Sequence, residues 1–392
     1  MLAMINKHLQ KHNIIIPQQS GFRTKRQTAD NLLDLMHNVR SGFIRTEKTV
    51  DVFFDIEKAF DRVWHSGLVY KMIILNFHPS IIMWVKEFIS SRSFKIKINN
   101  TVSPAGVFKA GVPQGAVTSP ILFSLFINDI SSPNNDVAIS LFADDLTCYS
   151  TNSDIQKSRK NIQDYINRLE NWKAKWKTAV QGSKCRYIVF GAYATIEKSL
   201  IIFHLLGQII PKDNEPVFLG IKLDHNFSLC NHVSNFRQKI QKKLNLHKHL
   251  ALKFKSIKSS TISKVYIATI RPHFEYCAII INASSQKTLN EINGLEYECL
   301  RIAHRAPPGV SSTLIHSLSN LEKIKSRLAL LSTSYIIKNI FTNDVIINSA
   351  ISHFHARYAQ ERFLLYWTPI GRLSNEIKDK ILNLLKENIL II

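Results

Sequence analysis

The adjacent acids Asp144 and Asp145 constrain this chain most, because they interrupt a stretch that otherwise favours β-strands. Val137 to Phe142 and Leu146 to Ser150 are rich in apolar and β-branched residues, whereas aspartate is depleted in strands. The pattern predicts a β-hairpin with both acids at its turn, at a sheet edge. Two carboxylates about 4 Å apart repel by about 4 kcal/mol at an effective dielectric near 20, a cost that a bound divalent cation would reverse. Oxygen ligands of this kind suit Mg²⁺ or Mn²⁺, although a solvated turn is the alternative that the pair alone leaves open.

The amino-acid composition indicates which class of partner and which cellular compartment to expect. The 392 residues are 45% hydrophobic and carry 51 Lys and Arg against 29 Asp and Glu, a net charge of +22. Such a surplus favours a polyanionic partner, nucleic acid before membrane. No apolar run approaches the ~18 residues of a membrane span and Met1–Gln10 does not resemble a signal peptide, so we expect an intracellular protein. The five cysteines are widely spaced, which predicts buried, reduced thiols and neither a zinc site nor a disulfide framework.

A further acid ends a predicted strand elsewhere in the chain. Residues 49–54 are apolar and β-branched enough for a buried strand, which delivers Asp55 at its carboxyl end; a helix N-cap is the alternative role for this aspartate. Helical spacing predicts helices at Met1–Gln10, Thr28–Val39, Ser66–Leu75, Ser80–Ser90, Ile121–Ile130 and Asp154–Lys177. Further strands are predicted at Phe94–Ile98, turned back at Asn99-Asn100 to form a hairpin, and at Lys184–Phe190 and Val217–Ile221.

Two loops combine residues that bind phosphates. The loop at Gln18–Gln27 holds a glycine, an aromatic residue and three cations, which suits phosphate or template contact; a merely solvated loop fits these residues as well. The loop at Gly111–Pro120 places two glycines and two prolines around Gln114 and leads into an apolar helix. Glycine permits close backbone approach, and a helix N-terminus favours an anion, although a plain turn is again possible.

The segment between His225 and Phe274 contains no acid at all and has helical periodicity. Its ten cations are Arg237, Lys239, Lys242, Lys243, Lys248, Lys253, Lys255, Lys258, Lys264 and Arg271. A run of one sign repels itself unless something anionic lies against it, so we interpret it as a phosphate-tracking surface in preference to a solvated one. His247 and His249 lie within the run without a matching Cys or acid, which argues against a metal site there. From Thr288 onward the chain reads as helical, with a break at Pro307–Gly309.

Together, Asp55 and the Asp144, Asp145 pair describe a site for two-metal phosphoryl transfer. In that mechanism two ions hold the attacking oxygen and the triphosphate in line.

At this point the chain resembles a known family, the reverse transcriptases of non-LTR retrotransposons, particularly the jockey-like elements. The resemblance runs in order from about Met1 to about Leu330. Residues 53–61 resemble the first palm motif, and Phe142–Asp145 the motif that completes the catalytic acids. Gly111–Gly115 is similar to the motif over the incoming nucleotide and template, and Gln18–Arg26 to a template-contacting segment. Trp176–Lys184 resembles the motif whose lysine lies near the leaving pyrophosphate.

The resemblance implies roles for individual residues. Asp55, Asp144 and Asp145 would bind two Mg²⁺ or Mn²⁺ ions, with Lys184 as a further catalytic residue. Nucleotide contacts would come from Phe60, which would exclude a 2′-hydroxyl, and from Gln114 and Gly115. The implied template and primer contacts are Arg23, Lys25, Arg26, Leu219, Gly220, Lys242, Lys243, Lys253 and Lys255, with Leu219-Gly220 in the primer grip and the lysines in the thumb. Ala116, Thr118 and Gln181 depart from the residues that the family usually has, without removing a metal ligand.

The implied fold is α+β, a right-hand polymerase palm with an antiparallel sheet and flanking helices, partial fingers and a helical thumb. We expect a residual fingers segment at 1–48, a palm at 49–225 with an inserted fingers hairpin at about 91–110, a basic helical thumb at 226–310 and a carboxyl-terminal helical region at 311–392. The sequence lacks the family's endonuclease region, Cys/His knuckle and first fingers strands, so we expect an amino-terminally truncated polymerase.

The implied function is RNA-directed DNA polymerisation, in which deoxynucleoside triphosphates extend a DNA primer on an RNA template. An RNA-dependent RNA polymerase, which has a similar palm domain, is an alternative within the same enzyme class. Phe60 argues against it, because by resemblance this residue would exclude a 2′-hydroxyl. A catalytically silent nucleic-acid-binding remnant, or an intron-maturase-like RNA-binding protein, is the alternative from a different class.

Overall fold

The computed structural model describes residues 1–90, 92–130, 136–191, 201–339 and 375–389. The chain divides into two compact units. Unit 1 comprises Met1–Asn31 and Thr46–Asp213, and unit 2 comprises Leu32–Arg45 and Asn214–Ile392. The domain bounds expected at residues 48, 225 and 310 stay predictions.

Unit 1 is built around a four-stranded antiparallel sheet. Its strands are β1 (Lys48–Asp55), β6 (Ala138–Phe142), β7 (Asp145–Asn152) and β8 (Arg186–Phe190). Their order in the sheet is β6-β7-β1-β8. β1 lies between β7 and β8 and is buried from Thr49 to Phe54, as expected of a central strand. The predicted strand ending in Asp55 is therefore confirmed, and Asp55 is not a helix cap.

The helices of unit 1 share one hydrophobic core with this sheet. They are α1 (Leu2–Lys11), α3 (His65–Ile74), α4 (Pro79–Ser90), α5 (Ser119–Phe126) and α6 (Ile155–Trp176), while α2 (Thr28–Ile44) has residues in both units. Asp154 caps α6 by accepting a hydrogen bond from the Gln156 backbone N–H at 2.9 Å. Ile162, Tyr165 and Leu169 on α6 are fully buried in the same core as β1. The α+β class and the antiparallel sheet expected from the sequence are confirmed.

Short hairpins complete unit 1. β2 (Ser93–Phe94) pairs with β5 (Gly106–Val107), and β3 (Lys97–Ile98) pairs with β4 (Thr101–Val102). The hairpin and its turn at Asn99-Asn100 are as predicted, but one continuous strand over residues 94–98 is wrong, because the pairing is interrupted at Lys95 and Ile96. The hairpin of β9 (Phe203–Leu205) and β10 (Gln208–Ile210) was not predicted.

Unit 2 is mainly helical. The hairpin of β11 (Val217–Phe218) and β12 (Ile221–Lys222) precedes the helices α7 (Cys230–Lys253), α8 (Ser259–Thr269), α9 (Arg271–Glu275), α10 (Ala278–Asn282), α11 (Gln286–Ala303), α12 (Ser312–Ser319), α13 (Ile324–Asn339) and α14 (Asn375–Ile389). The inward face of α7 contributes Val233, Phe236 and Ile240 to a core that it shares with Leu289 and Ile292 of α11. The break predicted at residues 307–309 separates α11 from α12. Part of the predicted carboxyl-terminal helical region, residues 340–374, lies outside the described residues.

Four local predictions need correction. Only Asp144 lies in the β6–β7 turn, because Asp145 is already the first residue of β7. Helix α5 ends at Phe126 and does not reach Ile130. Lys184 lies in a 3₁₀ turn at Gly182–Lys184 and not in a strand. The glycine after Leu219 folds residues 217–222 into a hairpin where one strand was predicted.

The cysteines agree with the expected role as small core residues. Cys148, Cys185, Cys277 and Cys299 are buried, and Cys230 is half-exposed. Among the described residues, no helix is both long and apolar enough to cross a membrane.

Candidate active site

The three predicted acids meet at one end of the unit 1 sheet. Antiparallel pairing places Asp55, the last residue of β1, directly opposite Asp145, the first residue of β7. Asp145 is also opposite Phe142 of β6, so the hairpin turn consists of Ala143 and Asp144. Register alone therefore brings together two acids that lie 90 positions apart in the sequence, and the tight turn adds the third.

Their mutual repulsion is visible in the electrostatics of the site. Burial, together with the charges of Asp144 and Asp55, raises the pKa of Asp145 to about 6. Proton uptake is one way to relieve such repulsion, and a bound cation is another. The three acids make this end of the sheet locally acidic, although the net charge of the whole chain is +22.

Lys184 is placed beside the acids by main-chain hydrogen bonds. The segment before it runs antiparallel to the end of β1, since the Gln181 N–H donates to the Asp55 carbonyl and the Glu57 N–H donates to the Ala179 carbonyl, both at 2.9 Å. The 3₁₀ turn then brings the Lys184 Nζ to 3.5 Å from the Asp55 Oδ2. Both side chains are substantially exposed, so this ion pair contributes little to stability. It leaves the ammonium available at the edge of the site.

Carboxylates are the donors that Mg²⁺ and Mn²⁺ prefer, so the chemistry of this donor set fits the expected ions. The geometry is less complete, because no group of three or more His, Cys, Asp or Glu side chains within the described ranges is arranged to hold a metal ion. Asp55 and Asp145 are the two acids that the strand register pairs. Asp144 lies in the exposed turn beside them, where its charge acts on Asp145.

The predicted nucleotide-binding residues lie around the turn that follows β1. The Phe60 ring is stacked on Phe123 with centroids 4.9 Å apart, and Phe22 approaches edge-on at 6.0 Å. The Phe60 carbonyl accepts a hydrogen bond from the Val112 N–H at 2.8 Å, which holds the glycine-rich loop against this turn. The Gln114 Nε2 donates to the Asp61 Oδ1 at 3.1 Å. Phe60 and Gln114 are thus brought together although they are distant in sequence.

Gly115 occupies an exposed turn with φ +88°, a region that only glycine adopts readily. A Cβ at this position would meet nothing within 4 Å. Backbone conformation, and not crowding, therefore accounts for this glycine in the free protein. The open space beside it agrees with a site where a ligand could approach the main chain.

The loop predicted to contact the template presents its cations unequally. The Arg23 Nη1 donates to the Ile16 and Gln19 carbonyls at 3.2 Å each, so this guanidinium helps to close its own loop. Lys25 is exposed and Arg26 is half-buried. The inner part of the loop, from Gln19 to Gly21, is buried against the end of β6.

In unit 2, the basic run divides between two faces of α7. Lys239, Lys242 and Lys253 are exposed, and their spacing of three and eleven residues places them on one face, which we call the basic face. On the opposite side, Arg237 and Lys248 each lie 3.6 Å from the Glu298 carboxylate of α11.

The other two lysines predicted to contact template and primer, Lys243 and Lys255, also differ in whether their ammonium group faces solvent. The Lys243 Nζ donates to the Thr269 carbonyl at 2.9 Å and lies against His273, so its ammonium is directed toward unit 2 itself. Lys255, beyond the end of α7, is exposed.

The predicted primer-grip residues form the turn between β11 and β12. Leu219 is buried, and its carbonyl accepts a hydrogen bond from the Tyr276 hydroxyl at 2.8 Å. The Gly220 main chain lies under the same tyrosine ring, since a Cβ there would be 3.4 Å from it. Tyr276 thus fixes the tip of this hairpin within unit 2.

Sequence reasoning placed Gln19 only within the template-contacting segment Gln18–Arg26 and did not predict its contact with the turn that carries Asp144. Gln19 is 1% exposed, and its side-chain amide contacts the main chain of Ala143, the residue before Asp144. The sequence offered a single signal, the glycine two residues later, because a Cβ on Gly21 would lie 2.3 Å from the Ala143 nitrogen. Close approach to that glycine was foreseeable, but the element that approaches it was not.

The comparisons with known proteins cover the same region. Residues 1–223 match the family described as reverse transcriptase (RNA-dependent DNA polymerase). This range contains the three acids, Lys184 and the glycine-rich loop.

Curated relatives extend the similarity into unit 2. The chain is 27% identical over 335 residues to the RNA-directed DNA polymerase from mobile element jockey of Drosophila melanogaster, covering 83% of this chain and 36% of that protein. It is 25% identical over 338 residues to the probable RNA-directed DNA polymerase from transposon BS of the same fly, covering 84% and 37%. The chain therefore spans about a third of the length of the curated relatives that it matches. A solved telomerase from Candida tropicalis, in complex with a fragment of telomeric RNA, matches 88% of this chain and 55% of that one at 15% identity and a TM-score of 0.41.

Proposed function

Because this chain belongs to the reverse transcriptase family, we propose that it carries the RNA-directed DNA polymerase activity that its curated relatives are named for. The substrates would be deoxynucleoside triphosphates, an RNA template and a DNA primer whose 3′-hydroxyl is extended. The family match and the candidate site lie in the same 223 residues.

The observation that carries the proposal is the pairing of Asp55 with Asp145 at the end of the sheet, with Asp144 next to them and Lys184 beside Asp55. A purely structural role does not account for three acids at one strand end, since neighbouring like charges destabilise the fold. Catalytic acids are commonly held under such strain, because the site must be complementary to a charge that only the loaded enzyme contains.

Asp55, Asp144 and Asp145 would hold two Mg²⁺ or Mn²⁺ ions. Such ions stabilise the attacking 3′-oxygen and the charge of the triphosphate during an in-line displacement. The protein's part is to supply carboxylates of fixed direction, and the β1–β7 register does this for two of them.

The other predicted residues would act on the substrates directly. Lys184, which is exposed beside Asp55, would neutralise charge on the leaving pyrophosphate. Phe60, held by Phe123, would present a rigid ring to the sugar. In unit 2, the basic face of α7 would contact the phosphates of the template and primer without reading their sequence.

Primer extension on an RNA template tests the proposal. The purified chain is supplied with deoxynucleotides and Mg²⁺ or Mn²⁺, and Asp144→Asn is the matched control, since it keeps the size of the side chain and removes one charge from an exposed turn. Extension by the natural sequence and none by the variant, at equal folded content, is the expected result. Nucleic-acid binding without extension would instead favour a catalytically silent binding protein.

A further inference from the structure

The turn that carries Asp144 is held from beneath by the side chain of Gln19. The Gln19 Oε1 accepts hydrogen bonds from the Ala143 N–H at 3.0 Å and from the Gly21 N–H at 2.7 Å. The Gln19 Nε2 donates to the Ala143 carbonyl at 3.4 Å. One buried amide therefore contacts both main-chain polar groups of the residue that precedes the catalytic acids.

Ala143 has a backbone conformation that needs such support. Its φ is +57°, in the left-handed region that residues with a Cβ rarely adopt. The direction in which the chain enters Asp144 depends on this angle, because Asp144 follows immediately. An unsupported Ala143 could relax toward negative φ and would then redirect the carboxylate of Asp144.

The surrounding loop follows β6 to its end. The Leu141 N–H donates to the Gln18 carbonyl at 3.0 Å, and the Ser20 N–H donates to the Leu141 carbonyl at 2.9 Å, which forms a parallel bridge. Asn31 adds two side-chain bonds from its Nδ2, to the Leu141 carbonyl at 3.0 Å and to the Ser140 hydroxyl at 2.6 Å. Gly21 then lies directly against Ala143, where a Cβ would be only 2.3 Å from the Ala143 nitrogen.

We propose that Gln19 is a positioning residue that fixes the Ala143–Asp144 turn in the conformation required for divalent-cation and nucleotide binding. This inference rests on the proposed polymerase function. It assigns the inner half of the loop, Gln19–Gly21, to the catalytic acids, and leaves template contact to exposed residues such as Lys25. Polar groups that orient metal-binding side chains commonly change affinity or activity by about 10- to 100-fold when they are lost.

The test uses three variants of the full chain. Gln19→Met keeps the length of the side chain and removes all three hydrogen bonds. Gln19→Glu keeps an acceptor oxygen for both N–H groups and loses only the donor. Gln10→Met makes the same replacement at an exposed position of α1 and serves as the control.

Two readouts separate positioning from packing. Mn²⁺ binding to the free chain is measured by electron paramagnetic resonance, and kcat and KM for primer-template are measured by primer extension. We expect Gln19→Met to weaken Mn²⁺ binding and to lower kcat by about 10- to 100-fold, with little change in KM for primer-template. Gln19→Glu should retain more of kcat than Gln19→Met. A role in packing alone predicts the opposite order, since a buried methionine is tolerated better than a buried charge.

The outcomes also distinguish this inference from the function on which it rests. Wild-type Mn²⁺ affinity and kcat in Gln19→Met would overturn the inference and leave the polymerase function standing. If the natural chain binds Mn²⁺ but extends no primer, the proposed function fails, and the Mn²⁺ affinities of the variants still decide the role of Gln19. A fall in folded content for Gln19→Met is corrected by expressing both readouts per folded molecule from circular dichroism.

Discussion

The acidic end of the unit 1 sheet and the basic face of α7 in unit 2 carry opposite charges and are constructed in opposite ways. Asp55 and Asp145 are fixed by strand register, and Lys184 is fixed by main-chain bonds to the end of β1. Lys239, Lys242 and Lys253 lie on an exposed helical face, and their ammonium groups are at the ends of long, flexible side chains. The fold holds the acids close together despite their mutual repulsion. The repulsion between these exposed lysines is weakened by the surrounding solvent.

This difference indicates what each region can do. Fixed carboxylates are needed where a distance must be right to within a fraction of an ångström, as in phosphoryl transfer. Solvated cations suffice where the summed charge matters, as in sequence-independent binding of a phosphate backbone. Single substitutions should therefore have large effects on rate at the first region and small, additive effects on affinity at the second.

The largest effect is expected from Asp55→Asn. The amide keeps the shape of the side chain but loses the charge that a cation requires, at a position where register leaves no room for adjustment. We expect kcat for primer extension to fall by at least about 10³-fold, which corresponds to roughly 4 kcal/mol of transition-state stabilisation. Primer-template affinity, measured by fluorescence anisotropy, should change little. Wild-type extension by this variant at equal folded content would show that Asp55 is not required for catalysis.

A smaller effect is expected from Phe60→Ala, which should change selectivity more than rate. The ring is held by Phe123 and Phe22, so it can reject a 2′-hydroxyl by clash without moving away. Ribonucleotide incorporation relative to deoxynucleotide incorporation should rise by about 10- to 100-fold. The ratio is measured by competition in one reaction, so loss of folded protein cancels. An unchanged ratio would show that Phe60 serves only as an aromatic core contact.

Some of this arrangement could be predicted from the sequence, because the responsible forces are local. The apolar residues 49–54 specify a buried strand, and the acid that follows them lies at its end. Asp154 before a helical pattern is a capping signal, and α6 begins at the next residue. The buried positions of Trp172 and Trp176 follow from their one-turn spacing on that helix.

The rest depends on partners that are distant in sequence. The β9–β10 hairpin is short and is held by α6, where the Gln163 amide exchanges two hydrogen bonds of 2.9 Å with the His204 main chain. The uniform basic run likewise concealed a division, because Glu298 lies outside the run and pairs with Arg237 and Lys248. Composition reveals the total charge of a segment, but only the packing of α7 on α11 shows which cations lie beside an acid.

A moderate effect on affinity is expected from the basic face. Replacing Lys242 and Lys253 of this face with Gln should weaken primer-template binding for all sequences alike. Each phosphate contact that is lost should reduce the slope of log affinity against log salt by about 0.7 to 0.9. The matched control is Arg237→Gln with Lys248→Gln, which removes cations that already face Glu298. Equal salt slopes for the two sets of variants would mean that only net charge matters and that α7 has no dedicated face.

The smallest effect on activity is expected from the second acid of β1, Asp51. Asp51 is 0% exposed in the middle of β1, and burial raises its pKa to about 8, against the opposing effect of its hydrogen bonds to Thr147 and Val52. The Asp51 Oδ2 is buried and has no hydrogen-bond partner among the residues that the structure describes. Asp51 therefore holds a proton at neutral pH and, being fully buried, has no access to substrate.

The sign of its effect on stability follows from linkage. Between pH 4 and pH 8 the folded chain holds the Asp51 proton and the unfolded chain does not, so this group's contribution to stability is greatest below about pH 4 and is lost as the pH rises through 8. Asp51→Asn stays neutral throughout, so we expect it to be more stable than the natural chain above pH 8, by an amount on the order of several kcal/mol, with unchanged extension per folded molecule.

Urea unfolding from pH 5 to about 9, with a chelator present to keep the acidic end free of metal, measures the difference. Asp164→Asn on the exposed side of α6 is the control, because it removes an acid without removing a buried one. Parallel pH dependences for the natural chain and Asp51→Asn would place the titration elsewhere, whereas a loss of extension in Asp51→Asn would mean that the catalytic region reaches further along β1 than its exposed end.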